Sequence, residues 1–280
     1  QSLTQKFKIA LSKPIFAYRD CRARGHTTQS KNMTDKKYLI VNADDFGQSP
    51  GVNRGIIEAH EHGIVTSTSL MTRWLAAGEA ALYAKAHPKL SLGLHLDLGE
   101  WIYRDGTWVP VYTVVRLDDE SAVEQEIAEQ LNVFRYLVGR EPAHINSHQH
   151  VHLREPVRSI ALRICKSLGV PLRDLCPQIN YFKKFYGQST EGLPLPEKIG
   201  IDCLIEALST LPSGLTVLVC HPGDATDLNT VYQKERNVEL KVLCDPRIRA
   251  VIENLGIELC SFQDWKKLKS LPAIGNRTIR

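Results

Sequence analysis

The chain predicts an α/β fold built on a parallel sheet that curls into a barrel or a distorted barrel. Three observations carry that expectation. Short apolar runs rich in β-branched residues alternate with amphipathic stretches from residue 38 to about 270, the pattern of parallel strands joined by helical crossovers. Four of the apolar runs stop abruptly on polar residues, at Asp44-Asp45, His95, His148 and His221. Buried strands read this way when they deliver side chains to the C-terminal rim of a sheet. The 280 residues are 43% hydrophobic and 24% charged, an ordinary globular balance with length enough for one large domain.

Residues 1–37 stand apart from the rest. Nine Lys and Arg there face only Asp20 and Asp35. A basic, hydroxyl-rich, acid-poor stretch is expected to be an extension without fixed structure, or an organelle transit leader as the alternative. The globular domain is therefore placed at 38–272, with a short tail at 273–280. No Gly/Ser/Pro linker or internal repeat divides it.

The first strand, about 38–43, runs into Asp44-Asp45-Phe46-Gly47. Ser49 is a plausible N-cap and Pro50 a first helical residue, opening a helix stopped by Gly63. Residues 64–71 are β-branched and strand-like, 76–86 helical up to His87-Pro88, and 90–96 a third strand carrying His95. The segment 99–120, with Trp101, Tyr103, Trp108 and Tyr112, lacks clear periodicity and reads as a long excursion carrying aromatics, and long loops at such a place tend to be functional. Val123, Ile127, Leu131, Phe134 and Val138 form a helical stripe ending before Gly139. A short strand at 142–146 feeds Ser147-His148-Gln149-His150-Val151-His152. A helix at 155–168 and a short strand at 170–173 follow, then an irregular region at 176–200. A helix at 201–211 leads to the strand 215–220 and His221-Pro222-Gly223-Asp224. Helices at 230–243 and 246–255, a last strand at 257–260 and a last helix at 262–270 complete the chain.

Composition excludes some classes. The net charge of +4 is partly in the leader, and no basic-aromatic interleaving or nucleic-acid motif accompanies it. Seven scattered cysteines without a C-x-x-C pair fit a reducing compartment, hence a cytoplasmic location, or a mitochondrial one if the leader is an address. No apolar run is long enough to cross a bilayer.

The polar strand ends can meet at one mouth if the sheet is a barrel. Asp and neutral imidazole together suit divalent metals, and a three-ligand site keeps a position for water. Each residue has a plainer reading: the Asp pair as a helix cap, His95 as a core histidine. The H-Q-H-V-H run resists one, because three neighbouring imidazoles are costly to bury without a partner. In an extended segment His148, His150 and His152 share a face; in a helix His148 and His152 do. His60 and His62, beside Glu58 and Glu61, read as surface residues.

Taken together, Asn42-Ala43-Asp44-Asp45-Phe46-Gly47, Gly93-Leu94-His95-Leu96-Asp97-Leu98, the Ser147–His152 run and His221-Pro222-Gly223-Asp224 followed by Glu235-Arg236-Asn237-Val238-Glu239-Leu240 resemble the YdjC-like carbohydrate deacetylases. The resemblance spans residues 38 to about 265. It implies a distorted (β/α) TIM-like barrel that removes N-acetyl groups from acetylated mono- or oligosaccharides with a divalent metal, Mg²⁺ or Zn²⁺. It implies Asp44 as general base, Asp45, His95 and His148 as metal ligands, His221 as a catalytic histidine acting as acid, and Arg173 as a substrate-site arginine, with His152 a reserve ligand. Asn146 stands where the family often has Asp, which removes a negative charge beside the metal ligands. Two other readings stay open: a metal-retaining sugar-binding or regulatory protein without turnover, and a metal-dependent phosphoesterase. No nucleic-acid or membrane partner is expected, and a homodimer is admitted.

Overall fold

The computed structural model describes residues 36–228 and 230–269. The expected basic extension up to residue 35, Cys21 within it and the tail 273–280 lie outside the described residues. The described residues form nine strands: β1 (Lys37–Phe46), β2 (Ser67–Leu70), β3 (Ser91–Leu96), β4 (Gly99–Arg104), β5 (Thr107–Thr113), β6 (Ile145–Ser147), β7 (Ile179–Phe182), β8 (Gly214–Cys220) and β9 (Ile257–Leu259). The helices are α1 (Pro50–Glu61), α2 (Ala77–Ala86), α3 (Glu120–Val138), α4 (Val157–Leu168), α5 (Ile201–Ser209), α6 (Gln233–Leu243), α7 (Pro246–Asn254) and α8 (Trp265–Leu268).

The main sheet runs in the order β6-β3-β2-β1-β8-β7, every pairing parallel. The central strand β1 forks. Along one edge Lys37–Ala43 pairs with β8. On the other, Lys37–Leu39 pairs with β9 and Asn42 onward with β2.

The curl follows from strand alternation. In β1, Leu39, Val41 and Ala43 join the larger apolar core beneath the helices, while Tyr38 and Ile40 join a smaller one with Ile179, Leu215, Val217, Phe262 and Trp265. Successive side chains leave opposite faces of a strand, so the smaller cluster fills the inside of the curl. His144, just before β6, stacks on Phe262, just after β9, with ring centroids 3.9 Å apart. Residues from opposite ends of half the sheet therefore touch, as a distorted barrel requires.

Local signals act as expected at α1, where the Ser49 side chain accepts from Val52 N and Pro50 opens the helix. Asp119 caps α3, which ends on Gly139 at φ 77. Three expectations are corrected. The 99–120 excursion begins with a two-stranded antiparallel hairpin, β4–β5, whose aromatic-rich alternation is broken by a register shift after Glu100. The strand expected at 170–173 shrinks to a single bridge, Ile145 to Leu172, since Arg173 turns away into the barrel interior. The irregular stretch 176–200 contains β7, whose Ile179, Tyr181 and Phe182 are good strand formers and which pairs with β8. The described helices include none long and apolar enough to cross a membrane.

Candidate metal centre

Interior positions turn polar toward the C-terminal ends of the strands. On β1 the inward series Tyr38, Ile40 continues to Asn42 and Asp44; on β8 Leu215, Val217 and Val219 lead to His221. On β2 the inward residue is Ser69, and on β3 His95, because Leu94 and Leu96 belong to the outer core. His95 lies directly opposite Asn146 of β6. A polar floor thus closes the apolar interior, and the site rests on it.

Adjacent aspartates on a regular strand would diverge. Here Asp45 sits at φ 69 and the β1–β2 register shifts between Ala43 and Phe46. This local break, of the kind found beside functional sites, turns both carboxylates into the mouth.

Asp45, His95 and His148 form a group whose ligand atoms lie within 4.8 Å of one another. Asp45 Oδ1 is 3.1 Å from His95 Nε2 and 3.2 Å from His148 Nδ1. Its other oxygen accepts from Arg236 Nη2 at 2.6 Å. His95 Nδ1 lies 2.8 Å from Asn146 Oδ1 and 3.2 Å from Ser69 Oγ. Burial alone would raise the Asp45 pKa, but the Arg236 charge and hydrogen bonds from His148 and His95 hold it well below the ordinary value. For His148, burial alone would lower the pKa, yet the hydrogen-bonded carboxylate of Asp45 and the nearby carboxylate of Glu100 push it up to about 10.

These residues suit a divalent cation. The donor set is one carboxylate and two imidazoles, a transition-metal set. The Nε2 atom of His95, which faces Asp45, is buried without a hydrogen-bond partner, and His148 turns its Nδ1 to the same carboxylate oxygen.

Asp44 stands beside this group with a different set of neighbours. Arg173 Nη1 donates to both its oxygens at 2.6 and 2.7 Å, and Asn42, Asn146 and Ser69 donate to Oδ1. Burial would raise its pKa; the charge of Arg173 leads the contributions, His95 and His221 among them, that hold it well below the carboxylate range. His221 Nε2 is 4.0 Å from Asp44 Oδ2. Its backbone N–H donates to Glu239 Oε2 at 2.5 Å, and Tyr232 Oη donates to Glu239 Oε1. Tyr186 and Tyr232, stacked 4.8 Å apart, both meet the His221 ring edge-on.

Asp44, Asp45, His95, His148, Arg173 and His221 all border this mouth. Of the residues singled out as ligands or catalytic groups in the sequence, the reserve ligand His152 does not join them. Arg173 is there as the buried partner of Asp44. The H-Q-H-V-H run is neither extended nor a regular helix: Gln149 and His150 lie at φ 49 and 55, left-handed for non-glycine residues. The three imidazoles therefore separate. His152 leaves the first group; its Nδ1 lies 2.7 Å from Ser147 Oγ and its Nε2 3.1 Å from the Arg173 carbonyl. His150 and His152 form a second cluster with Asp174, where a carboxylate oxygen is 3.5 Å from His150 Nδ1. Sequence reasoning quoted Arg236, Glu239 and Asn42 in its motifs without giving them a role, and missed Ser69 and Glu100. The i, i+3 spacing of Arg236 and Glu239 on one face of α6 was a signal for the first two, and the i, i+2 spacing of Asn42 and Asp44 for the third.

A parallel sheet with a carboxylate–bis-imidazole group at its strand ends defines an α/β protein of the metal-site type. The chain belongs to the YdjC-like protein family, whose model matches residues 38–254. It is 33% identical over 259 residues to a chitooligosaccharide deacetylase of Serratia marcescens, covering 82% of this chain and 99% of that protein. It is 32% identical over 254 residues to a carbohydrate deacetylase of Geobacillus stearothermophilus, covering 83% and 99%. A crystal structure from Enterococcus faecalis V583, described provisionally as a cellobiose-phosphate cleavage protein, superposes with a TM-score of 0.64 at 25% identity, over 82% of this chain and 99% of that one.

Proposed function

We propose that this chain is a metal-dependent carbohydrate deacetylase, an enzyme that hydrolyses the N-acetyl group of an acetylated sugar to acetate and the free amine. One observation carries the proposal: Asp45, His95 and His148 converge on one spot with an ionised carboxylate, Asp44, and an imidazole, His221, beside it. Family membership and the two deacetylase relatives support the same reading.

Asp45, His95 and His148 would hold the cation. Two imidazoles with one carboxylate suit Zn²⁺ better than Mg²⁺. Bound there, a divalent metal polarises the acetyl carbonyl and acidifies water. Asp44, kept ionised by Arg173, takes the proton of the attacking water as its oxygen bonds to the carbonyl carbon. His221, oriented by Glu239 through its backbone, gives a proton to the nitrogen as the C–N bond breaks. Arg173 holds Asp44 rather than reaching for substrate, so its role is that of a positioning residue. Arg236 does the same for Asp45.

A phosphoesterase would want free cations at the mouth, but Arg173 and Arg236 are each engaged by an aspartate. Acetate release from N-acetylated chitooligosaccharides tests the proposal. Wild type should release acetate and His148→Ala should neither retain metal nor turn over. A fully active, metal-free His148→Ala protein would reject the mechanism. A wild type that binds sugar and metal without releasing acetate would favour the binding-protein reading. The six free cysteines among the described residues support a reducing compartment, with the cytoplasm the simplest choice.

A further inference from the structure

Hairpin β4–β5 lies outside the main sheet, yet it meets the metal-ligand group at two points. The first is Glu100. His148 Nδ1 faces Asp45, which leaves Nε2 buried, without a hydrogen-bond partner and 3.8 Å from Glu100 Oε2. A ligating imidazole ordinarily gives its second N–H to a carboxylate or carbonyl, which fixes the ring and raises its basicity. For His95 that partner is Asn146, its neighbour across the β3–β6 ladder, and it is neutral. His148 lies past the end of β6, where no ladder neighbour exists to do the same. The carboxylate facing it comes from the hairpin.

The second point is Gln149. Its side-chain amide donates to the Trp101 carbonyl at 2.8 Å and accepts from the Trp101 N–H at 2.9 Å. A backbone strand would make the same pair of bonds. Gln149 follows His148 and Trp101 follows Glu100, so the clasp sets these two side chains beside each other. An isolated two-stranded hairpin is marginal in water. At its base the hairpin is tied through Asp97, which accepts from Tyr112 Oη, Trp74 Nε1 and Gly99 N. The left-handed backbone at Gln149 and His150, rare for non-glycine residues, is the geometry that presents the Gln149 amide to the hairpin.

We infer that the hairpin is part of the metal centre: Glu100 positions His148 from its second nitrogen, and Gln149 holds the hairpin in register to do so. The negative charge missing at Asn146 is thereby supplied from the other imidazole. This rests on the reading of Asp45, His95 and His148 as ligands. The aromatic pair Tyr103–Trp108 sits toward the hairpin tip, away from Glu100 at its base, so this role is separate from any contact that pair makes with a sugar.

The test is calorimetric titration of the full chain with Co²⁺ and Zn²⁺, together with the visible absorption bands of the Co²⁺ protein. E100Q and Q149A should each weaken metal binding by about tenfold or more and shift the Co²⁺ bands, with unchanged melting of the metal-free protein. E100D, which keeps the charge, should recover part of the affinity. Wild-type affinity and band positions in both E100Q and Q149A would overturn the inference and leave the ligand assignment standing. An equal loss in R104A, at the hairpin tip, would overturn the assignment to these two side chains. A wild type that takes up no metal would overturn the ligand assignment as well.

Discussion

Asp44 and Asp45 are neighbours in sequence and differ in everything that surrounds them. Asp44 accepts from one guanidinium and three neutral donors; Asp45 faces two imidazoles and a different guanidinium. Asp44→Asn should therefore lower kcat by about 10²–10⁴-fold while leaving metal affinity near wild type, whereas Asp45→Asn should lose metal. Calorimetry beside steady-state kinetics separates the two. His152 offers a test of stability. It is buried, and desolvation with the nearby charges of Arg173 and His150 brings its pKa down to about 3. The unfolded chain binds its proton near the ordinary value of 6.5, so between that pH and about 3 unfolding takes up a proton. The contribution is complete above pH 6.5 and drains away as pH falls, at about 1.4 kcal/mol per pH unit. Replacing His152 with Gln should flatten the fall in denaturation midpoint between pH 6 and 4, even though the variant starts less stable.

The elements show which signals survive in sequence. Strand alternation was legible in β1 and β8, where one parity is apolar to the end and the other turns polar, and this alone gathered Asp44 and His221. The turn of Asp45 into the same mouth was not legible, because nothing in Ala-Asp-Asp-Phe announces a left-handed aspartate. The hairpin was obscured by the register shift after Glu100, although Asp105-Gly106 at its tip is a turn signal. Glycine marks one close approach that sequence could not locate. A Cβ on Gly55 of α1 would come 2.3 Å from Gly223 Cα, two residues beyond His221. Backbone cannot swing aside as a side chain can. Gly55→Ala should lower Tm by about 5 °C or more and, by shifting the His221 loop, reduce kcat more than it raises KM. Gly78→Ala, where a Cβ meets nothing, is the control.

Across the whole molecule the class of fold was readable from the order of strands and helices, while the pairing of each site arginine with its own aspartate was not. Arg173 is singled out only through the family resemblance, as a substrate residue, and Arg236 is given no role. Arg173 and Arg236 are 63 residues apart, two of many basic residues, and only the curl of the sheet brings one to each aspartate. Their presence has a consequence for the protein without metal. Each buried carboxylate already has its own guanidinium, and His148 carries a proton at neutral pH. Chelation should therefore abolish acetate release yet leave the far-UV circular dichroism and a cooperative melt intact, with activity restored on adding the ion back. Collapse of the dichroism on chelation would contradict this.

The two arginines thus separate assembly from activation. On that expectation a freshly made molecule would attain its native shape on internal charge balance and turn over only once the ion is bound. The working fraction of the population would then follow ion supply rather than folding yield.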